Sequence, residues 1–472
     1  MPAFLIQFAQ FHDEFRLPEV LSLAKLEKVN VNYKSENYRL DNPFLKVDLD
    51  SISDAQKLIK RAILIKNIYE LWGDGETYEE LHAKVKQTSD KWDEYLTCSF
   101  KFVVSAFGST ITYKEQLAII NSFSYLGFQG TIDMKNPEAQ FHVLADFGSD
   151  NGTKRPDPLH VYMGKLVATG SRDLVNLYNL KKRKYLGTTS MDAELSLVMA
   201  NQALAAPGKI IYDPFVGTGS FLFTCAHFGS FTLGSDIDGR QIRGKGKSGV
   251  QSNIEQYNLQ GRVLDALVFD ICHNPWRSQQ WLDAIVTDPP YGVRAGAKKL
   301  GRNDGKELEM RTYDGIPMHT RDDYYPPTKP YEMSEVLTDL LNFAAENLVL
   351  GGRLVYWLPT IVDEYSNADV PQHPCMTLIS NSEQNFGQWS RRLITMEKVR
   401  DSNKNEKAFV EQALVSEAEN AGIMENGVED PKRPGHYLFR EKVNHEYQYG
   451  IDMHISNIVI PHKYFHSSRE NN

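Results

Sequence analysis

Downstream of residue 187 the apolar positions change rhythm repeatedly. Leu195, Val198, Met199 and Leu204 stripe one face of a helix, Thr189 and Asp192 are spaced like a helix start, and Pro207-Gly208 ends the run. Short β-rich runs over 209–215, 231–237, 263–269, 283–289 and 353–358 then alternate with helical patterns over 219–227, up to about 259, and 332–350. Such alternation predicts an α/β fold with a mostly parallel, doubly wound sheet, whose ligands sit at the carboxyl ends of its strands. Two further β-rich runs, 376–381 and 392–399, fit an antiparallel edge of the same sheet.

The chain before residue 187 has a different texture. Residues 3–11 alternate, 37–43 form a polar turn, and the apolar spacing over 55–71 predicts a helix; then strands over 100–107, 140–145 and 159–166 surround a helical run at 113–126. These divide into an α/β unit over 1–95 and a second over 96–186, continuous with it, ahead of a catalytic unit over 187–400. The remaining 401–472 reads as a polar, acidic linker, helical or unstructured, and a tail richer in Ile, Val and Tyr.

Composition narrows the class. A chain of 472 residues with 41% hydrophobic and 24% charged residues fits a soluble protein of two or three folding units. Polar residues interrupt the first twenty positions, and no run approaches the roughly 18 apolar residues that a membrane span needs. Neither export nor membrane insertion is expected. Cys98, Cys225, Cys272 and Cys375 are far apart, so neither a disulfide framework nor a metal knuckle is indicated, and a reducing, cytoplasmic location is expected. Net charge of −9 argues against coating nucleic acid over the whole surface. Local basic clusters remain, at Lys181-Lys182-Arg183-Lys184, at Arg240 to Lys247 and at Arg294 to Arg302; they can neutralise phosphates or simply solvate the surface.

The chemistry concentrates at strand ends. Asp288-Pro289-Pro290-Tyr291 follows the apolar run 285–287. A carboxylate and the Pro289 carbonyl can accept hydrogen bonds from a flat exocyclic amine, the prolines stiffen the chain, and Tyr291 offers a ring face for stacking. Upstream, Asp213-Pro214-Phe215-Val216-Gly217-Thr218-Gly219 reads as a strand entering a glycine turn before a helix. Without a third glycine it favours a nucleotide-like cofactor lacking pyrophosphate, with Asp213 accepting from the amino group of S-adenosylmethionine. Asp236 lies about 20 residues beyond that turn, the spacing of a ribose-hydroxyl acceptor. Asp238 is its alternate or a helix cap, and Asp270 is placed beside the adenine or serves structure alone. An aromatic amine is a poor nucleophile, so acceptors that favour a pyramidal nitrogen and stabilise its developing charge would promote methyl transfer.

The extended run 288–301, with 213–220 and Thr189-Ser190-Met191-Asp192-Ala193-Glu194, resembles the catalytic subunits of eukaryotic tRNA (guanine-10-N2)-methyltransferases. The resemblance covers the chain from its first residues to at least Val399. It implies a ferredoxin-like plus THUMP module that grips tRNA, a Rossmann-like methyltransferase domain using S-adenosylmethionine, and a small zinc-binding activator subunit completing a heterodimer. It also brings Thr189, Ser190, Pro214, Phe215 and Thr218 into the cofactor site and Arg294 beside the base, while Lys181 to Lys184 lie where the RNA would cross. An adenine-N6 methyltransferase acting on DNA or RNA can use the same Asp-Pro-Pro-Tyr apparatus, but no separate DNA-reading motif accompanies it. A protein-glutamine methyltransferase usually has Asn where Asp288 stands, and the intact acids argue against a non-catalytic RNA-binding scaffold.

Overall fold

The computed structural model describes residues 2–149, 155–291, 297–302, 304, 312–321, 324–403 and 405–410. In the N-terminal half, β1 (Ala3–Phe8), α1 (Asp13–Glu27), β2 (Phe44–Asp48), α2 (Ile52–Ile59), β3 (Ile65–Gly75) and α3 (Tyr78–Lys86) are followed by β4 (Phe100–Phe107), α4 (Tyr113–Ser122), β5 (Ala139–Asp146), β6 (His160–Thr169) and α5 (Asp173–Leu177). All six strands join one sheet in the order β2-β1-β3-β6-β5-β4. The units expected on either side of residue 95 therefore share a sheet, with β3 and β6 paired at its centre.

The helix expected over 55–71 is half strand. α2 stops at Ile59 and β3 begins at Ile65. A central strand covered on both faces is apolar at consecutive positions, and such a run satisfies a helical period as readily as a strand's.

The second half contains α6 (Ala193–Gln202), β7 (Ile210–Asp213), α7 (Ser220–His227), β8 (Phe231–Asp236), α8 (Gly239–Arg243), α9 (Val250–Gln256), β9 (Val263–Val268) and β10 (Leu282–Thr287). The insertion after β10 carries β11 (Lys298–Leu300) paired with β14 (Thr328–Pro330), and β12 (Thr312–Tyr313) paired with β13 (Ile316–Pro317). It leads into α10 (Met333–Asn347), β15 (Leu348–Ile361), β16 (Met376–Asn385) and β17 (Trp389–Lys398). The sheet order is β16-β17-β15-β10-β7-β8-β9, parallel from β15 to β9, with β17 slotted antiparallel between β15 and β16. The first helix is capped by Asp192 itself, which accepts from the amides of Glu194 and Leu195, so Thr189 stands outside the helix start expected of it.

Alternation assigns the strand residues to two cores. Ala284, Val286, Val355, Trp357 and Leu393 face α6 and α7, while Ile285, Leu354, Tyr356, Leu358 and Ile394 face α10. Phe15, Ile63 and Leu64 of the N-terminal module belong to the first of these cores, so the modules are fused by packing. Polar bonds reinforce the seam. Pro18 inside α1 has no N–H to give the Glu14 carbonyl, and that carbonyl accepts from Ser382 Oγ on β16 at 3.0 Å instead. Arg353 donates to Ser22 Oγ at 2.9 Å and to the Gln202 carbonyl at 2.7 Å.

Candidate active site

The acids at the strand ends converge where the sheet reverses its winding order, between β7 and β10. β7 ends on Asp213 and the chain turns through Gly217 (φ 47°) and Gly219 (φ 86°) into α7. A Cβ at Gly219 would stand 2.8 Å from the Phe223 ring in a left-handed conformation, so the turn requires glycine there. The Gly217 amide donates to Asp236 Oδ2 at 2.9 Å, tying the turn to the end of β8. Ser190 Oγ lies 2.7 Å from Thr218 Oγ1 and accepts from the Gly187 amide, bringing the segment before α6 onto the same turn. Thr189, its neighbour, is exposed.

Asp213 is almost wholly buried. Its Oδ1 accepts from Thr287 Oγ1 at 2.7 Å and from the Phe215 amide at 3.1 Å, whereas Oδ2 has no hydrogen-bond partner among the described residues. Burial, reinforced by the nearby charges of Asp236 and Asp288, pushes its carboxyl up to about 8. Asp236, held by the amides of Gly217 and Asp238, is likewise raised by burial, to about 6. Asp213 has no ion pair among the described residues. Two acids strained towards neutrality beside an unoccupied acceptor atom suit a cationic, amine-bearing ligand such as S-adenosylmethionine, and the ribose acceptor expected at Asp236 keeps lone pairs available. Pro214 lies inside the turn, its carbonyl 3.5 Å from Ser235 Oγ, and Phe215 packs on the α10-side core.

Asp288 follows β10 directly, next to the strand that delivers Asp213. Its Oδ1 is buried without a partner among the described residues, and burial holds its carboxyl above the ordinary value. The Tyr291 hydroxyl lies close to both Asp288 and Arg391, and its ring packs against the α6-side core. Pro289 is buried and Pro290 half-buried between them.

Three expectations shift. Asp238 caps α8 through the Arg240 amide and pairs with the Arg240 guanidinium at 2.8 Å, which is its structural alternate. Asp270 has both oxygens engaged, by the His273 amide at 2.9 Å and the Leu300 amide at 2.6 Å, and so pins β11 to the end of β9. Arg183 does not belong with its lysine neighbours. It is buried, donating to Ser220 Oγ at 2.8 Å and lying over the Phe223 ring, so its charge cannot meet phosphate. Lys181, Lys182 and Lys184 are exposed. Arg294 lies outside the described residues.

Sequence reasoning missed Thr287, Trp357 and Arg391. Thr287 links the two acids, and its polar side chain at the end of an apolar run was the available signal. Trp357 reaches the site through the pairing of β15 with β10, and Arg391 through the pairing of β17 with β15.

Residues 2–172 match the family model described as the Tmrp11 THUMP N-terminal domain, and residues 181–304 match that of the RMKL-like methyltransferase domain. Fold and family models together define a Rossmann-like, class I methyltransferase that uses S-adenosylmethionine, preceded by a THUMP-type module. The chain is 40% identical to the tRNA (guanine(10)-N(2))-methyltransferase of Schizosaccharomyces pombe over 94% of its own length and 96% of the relative's. It is also 40% identical to the human tRNA (guanine(10)-N(2))-methyltransferase TRMT11, over 84% of this chain and 88% of that one. It belongs to the tRNA (guanine(10)-N(2))-methyltransferase family. A crystal structure of TrmN from Thermus thermophilus aligns over 84% of this chain and 100% of its own, at 16% identity and TM-score 0.41, too loosely to carry geometry across.

Proposed function

We propose that the protein transfers a methyl group from S-adenosylmethionine to the exocyclic N2 amine of guanosine 10 in tRNA. The observation that carries this reading is the pair of acids at the ends of adjacent strands, Asp213 and Asp288, each with a buried oxygen that has no partner among the described residues, in a chain so close to enzymes of that name. Bound S-adenosylmethionine supplies an electrophilic methyl on a positively charged sulfur. Asp213 Oδ2 accepts from the donor's amino group, Asp236 accepts from its ribose hydroxyls, and the turn from Pro214 to Gly219 with Ser190 lines its cradle. Asp288 and the Pro289 carbonyl hold the two hydrogens of N2, favour a pyramidal nitrogen, and stabilise the positive charge that develops on it. Asp288 takes the proton that the nitrogen sheds. Exposed Lys181, Lys182 and Lys184 neutralise RNA phosphates as the tRNA crosses from the N-terminal module.

The finer parts of the reading are a heterodimer with a small zinc-binding activator subunit and residence in the cytoplasm. The outermost strand β9, with Leu264 and Val268 exposed, supports an edge that a partner covers, and four free cysteines support a reducing compartment. The test is methyl transfer to an unmodified tRNA transcript, with and without such a subunit, followed by mapping of the labelled nucleotide. Label on any atom other than N2 of guanosine 10 would overturn the assignment.

A further inference from the structure

We propose that Arg391 is a positioning residue for methyl transfer: its guanidinium, stacked on Trp357, holds Asp288 and Tyr291 in the arrangement that receives the amine. The inference rests on the role given to Asp288 above. It begins with strand alternation. Ala284 and Val286 face α6, so the next even position, Asp288, continues along that face. Val355 and Trp357 on β15 and Leu393 on β17 share the face, and Arg391, two residues from Leu393 and paired across the strands with Pro359, comes next. The cation is thus delivered beside the acid by the antiparallel strand β17.

The contacts of Arg391 leave it little freedom. Its guanidinium carbon lies 4.2 Å from the centroid of the Trp357 ring and 5.7 Å from that of Phe386. Nε donates to Gln384 Oε1 at 2.8 Å, and Nη2 lies 3.8 Å from Met191 Sδ. The Tyr291 hydroxyl lies close both to it and to Asp288. Trp357 also packs against Phe15 of the N-terminal module, with ring centroids 5.9 Å apart. A planar fork that can stack on an indole and hydrogen-bond at its edge fits this place; a lysine ammonium supplies the charge without the plane.

The arrangement answers an electrostatic difficulty. An acceptor that must take charge from a reacting amine has to be ionised, yet burial opposes ionisation of Asp288. The facing groups are Tyr291 from its own loop, Asp213 from β7 and Arg391 from β17. Beyond Arg391 stand His12 and Asp13 at the start of α1 and Asp192 and Glu194 at the start of α6. Asp213 opposes the charge on Asp288, whereas Arg391 favours it.

The test compares Arg391→Met, Arg391→Gln and Arg391→Lys in the full-length enzyme, measuring kcat against pH at saturating S-adenosylmethionine and tRNA, together with cofactor affinity. With the cation removed, the acid limb of the kcat profile is expected to move up by about one pH unit or more, with the loss at neutral pH largely recovered by alkaline pH and cofactor affinity within about twofold of the parent. Arg391→Lys should keep the limb near its original position. If either neutral variant folds and retains the parent pH profile, whatever its rate, Arg391 serves packing alone and the proposal fails. Asp288→Asn separates the two readings: an inactive Asp288→Asn beside an unmoved Arg391→Gln profile overturns this inference only, whereas an active Asp288→Asn overturns both.

Discussion

Asn201 Nδ2, on a helix of the catalytic domain, donates a 2.6 Å hydrogen bond to Glu19, a wholly buried carboxyl of the N-terminal module. The same carboxyl accepts from the amides of Ile63 and Leu64, while Arg61 donates to Asn201 Oδ1 at 2.8 Å. One asparagine therefore hydrogen-bonds both an acid and a guanidinium of the other module. Asn201→Leu removes a partner from each and should cost roughly 2–4 kcal/mol. Urea unfolding checks this. Because the two modules share one core, a single cooperative transition moving to lower urea is expected; an unchanged midpoint would contradict the role of the seam.

In its proposed role, Asp213 should make cofactor binding depend on pH. Its folded value of about 8 stands above its ordinary 3.8, so the ligand-free protein loses stability as pH rises from about 4 to about 8. A cationic ligand prefers the ionised carboxyl, so S-adenosylmethionine affinity should increase over the upper part of that range, with proton release on binding. Calorimetry in two buffers of different ionisation enthalpy measures the release. Asp213→Asn should abolish it, weaken binding by about tenfold or more, and raise the melting temperature of the ligand-free protein most strongly near pH 8.

Asp288→Asn keeps the shape of the amine site and removes the charge. Its kcat should fall by about 10²–10³-fold with cofactor affinity little changed. Single-turnover methylation of tRNA, beside direct binding of S-adenosylmethionine, distinguishes this from a folding defect. Near-normal turnover would remove Asp288 from the chemistry.

The basic run at 181–184 should divide into two behaviours. Replacing Lys181, Lys182 and Lys184 by Glu should weaken tRNA binding and flatten the dependence of log K on log salt by up to about 0.9 for each phosphate no longer neutralised. Arg183→Ala should instead cost about 1–3 kcal/mol of stability, because Ser220 and Tyr257 lose a buried partner. A change in salt dependence produced by Arg183→Ala alone would reverse this division.

The parts of the site that lie at the ends of apolar runs were legible in the chain. Asp213, Asp236 and Asp288 each close a strand that its own neighbours announce, and local sequence suffices for that. Arg391 was not legible, since its approach to Asp288 depends on β17 inserting between β15 and β16, a long-range pairing without a local signature. The expected strand began at 392, one residue short of it. Arg183 was misplaced for a related reason: a run of four basic residues has no inside or outside until a helix with Ser220 and Phe223 packs against it. At 55–71 the difficulty was burial itself, which erased the alternation that distinguishes strand from helix.

β10 also acts as a counter. Ala284, Val286 and Asp288 fall on one face of the sheet because two residues separate each from the next. Loss of one residue between Val286 and Asp288 would turn the carboxyl through the sheet, towards Leu337 and Leu341 of α10, without shortening any loop. The placement of Asp288 is thus written in the parity of a six-residue strand. Such a protein can drift in the length of its insertion while remaining intolerant of a single-residue deletion beside its core.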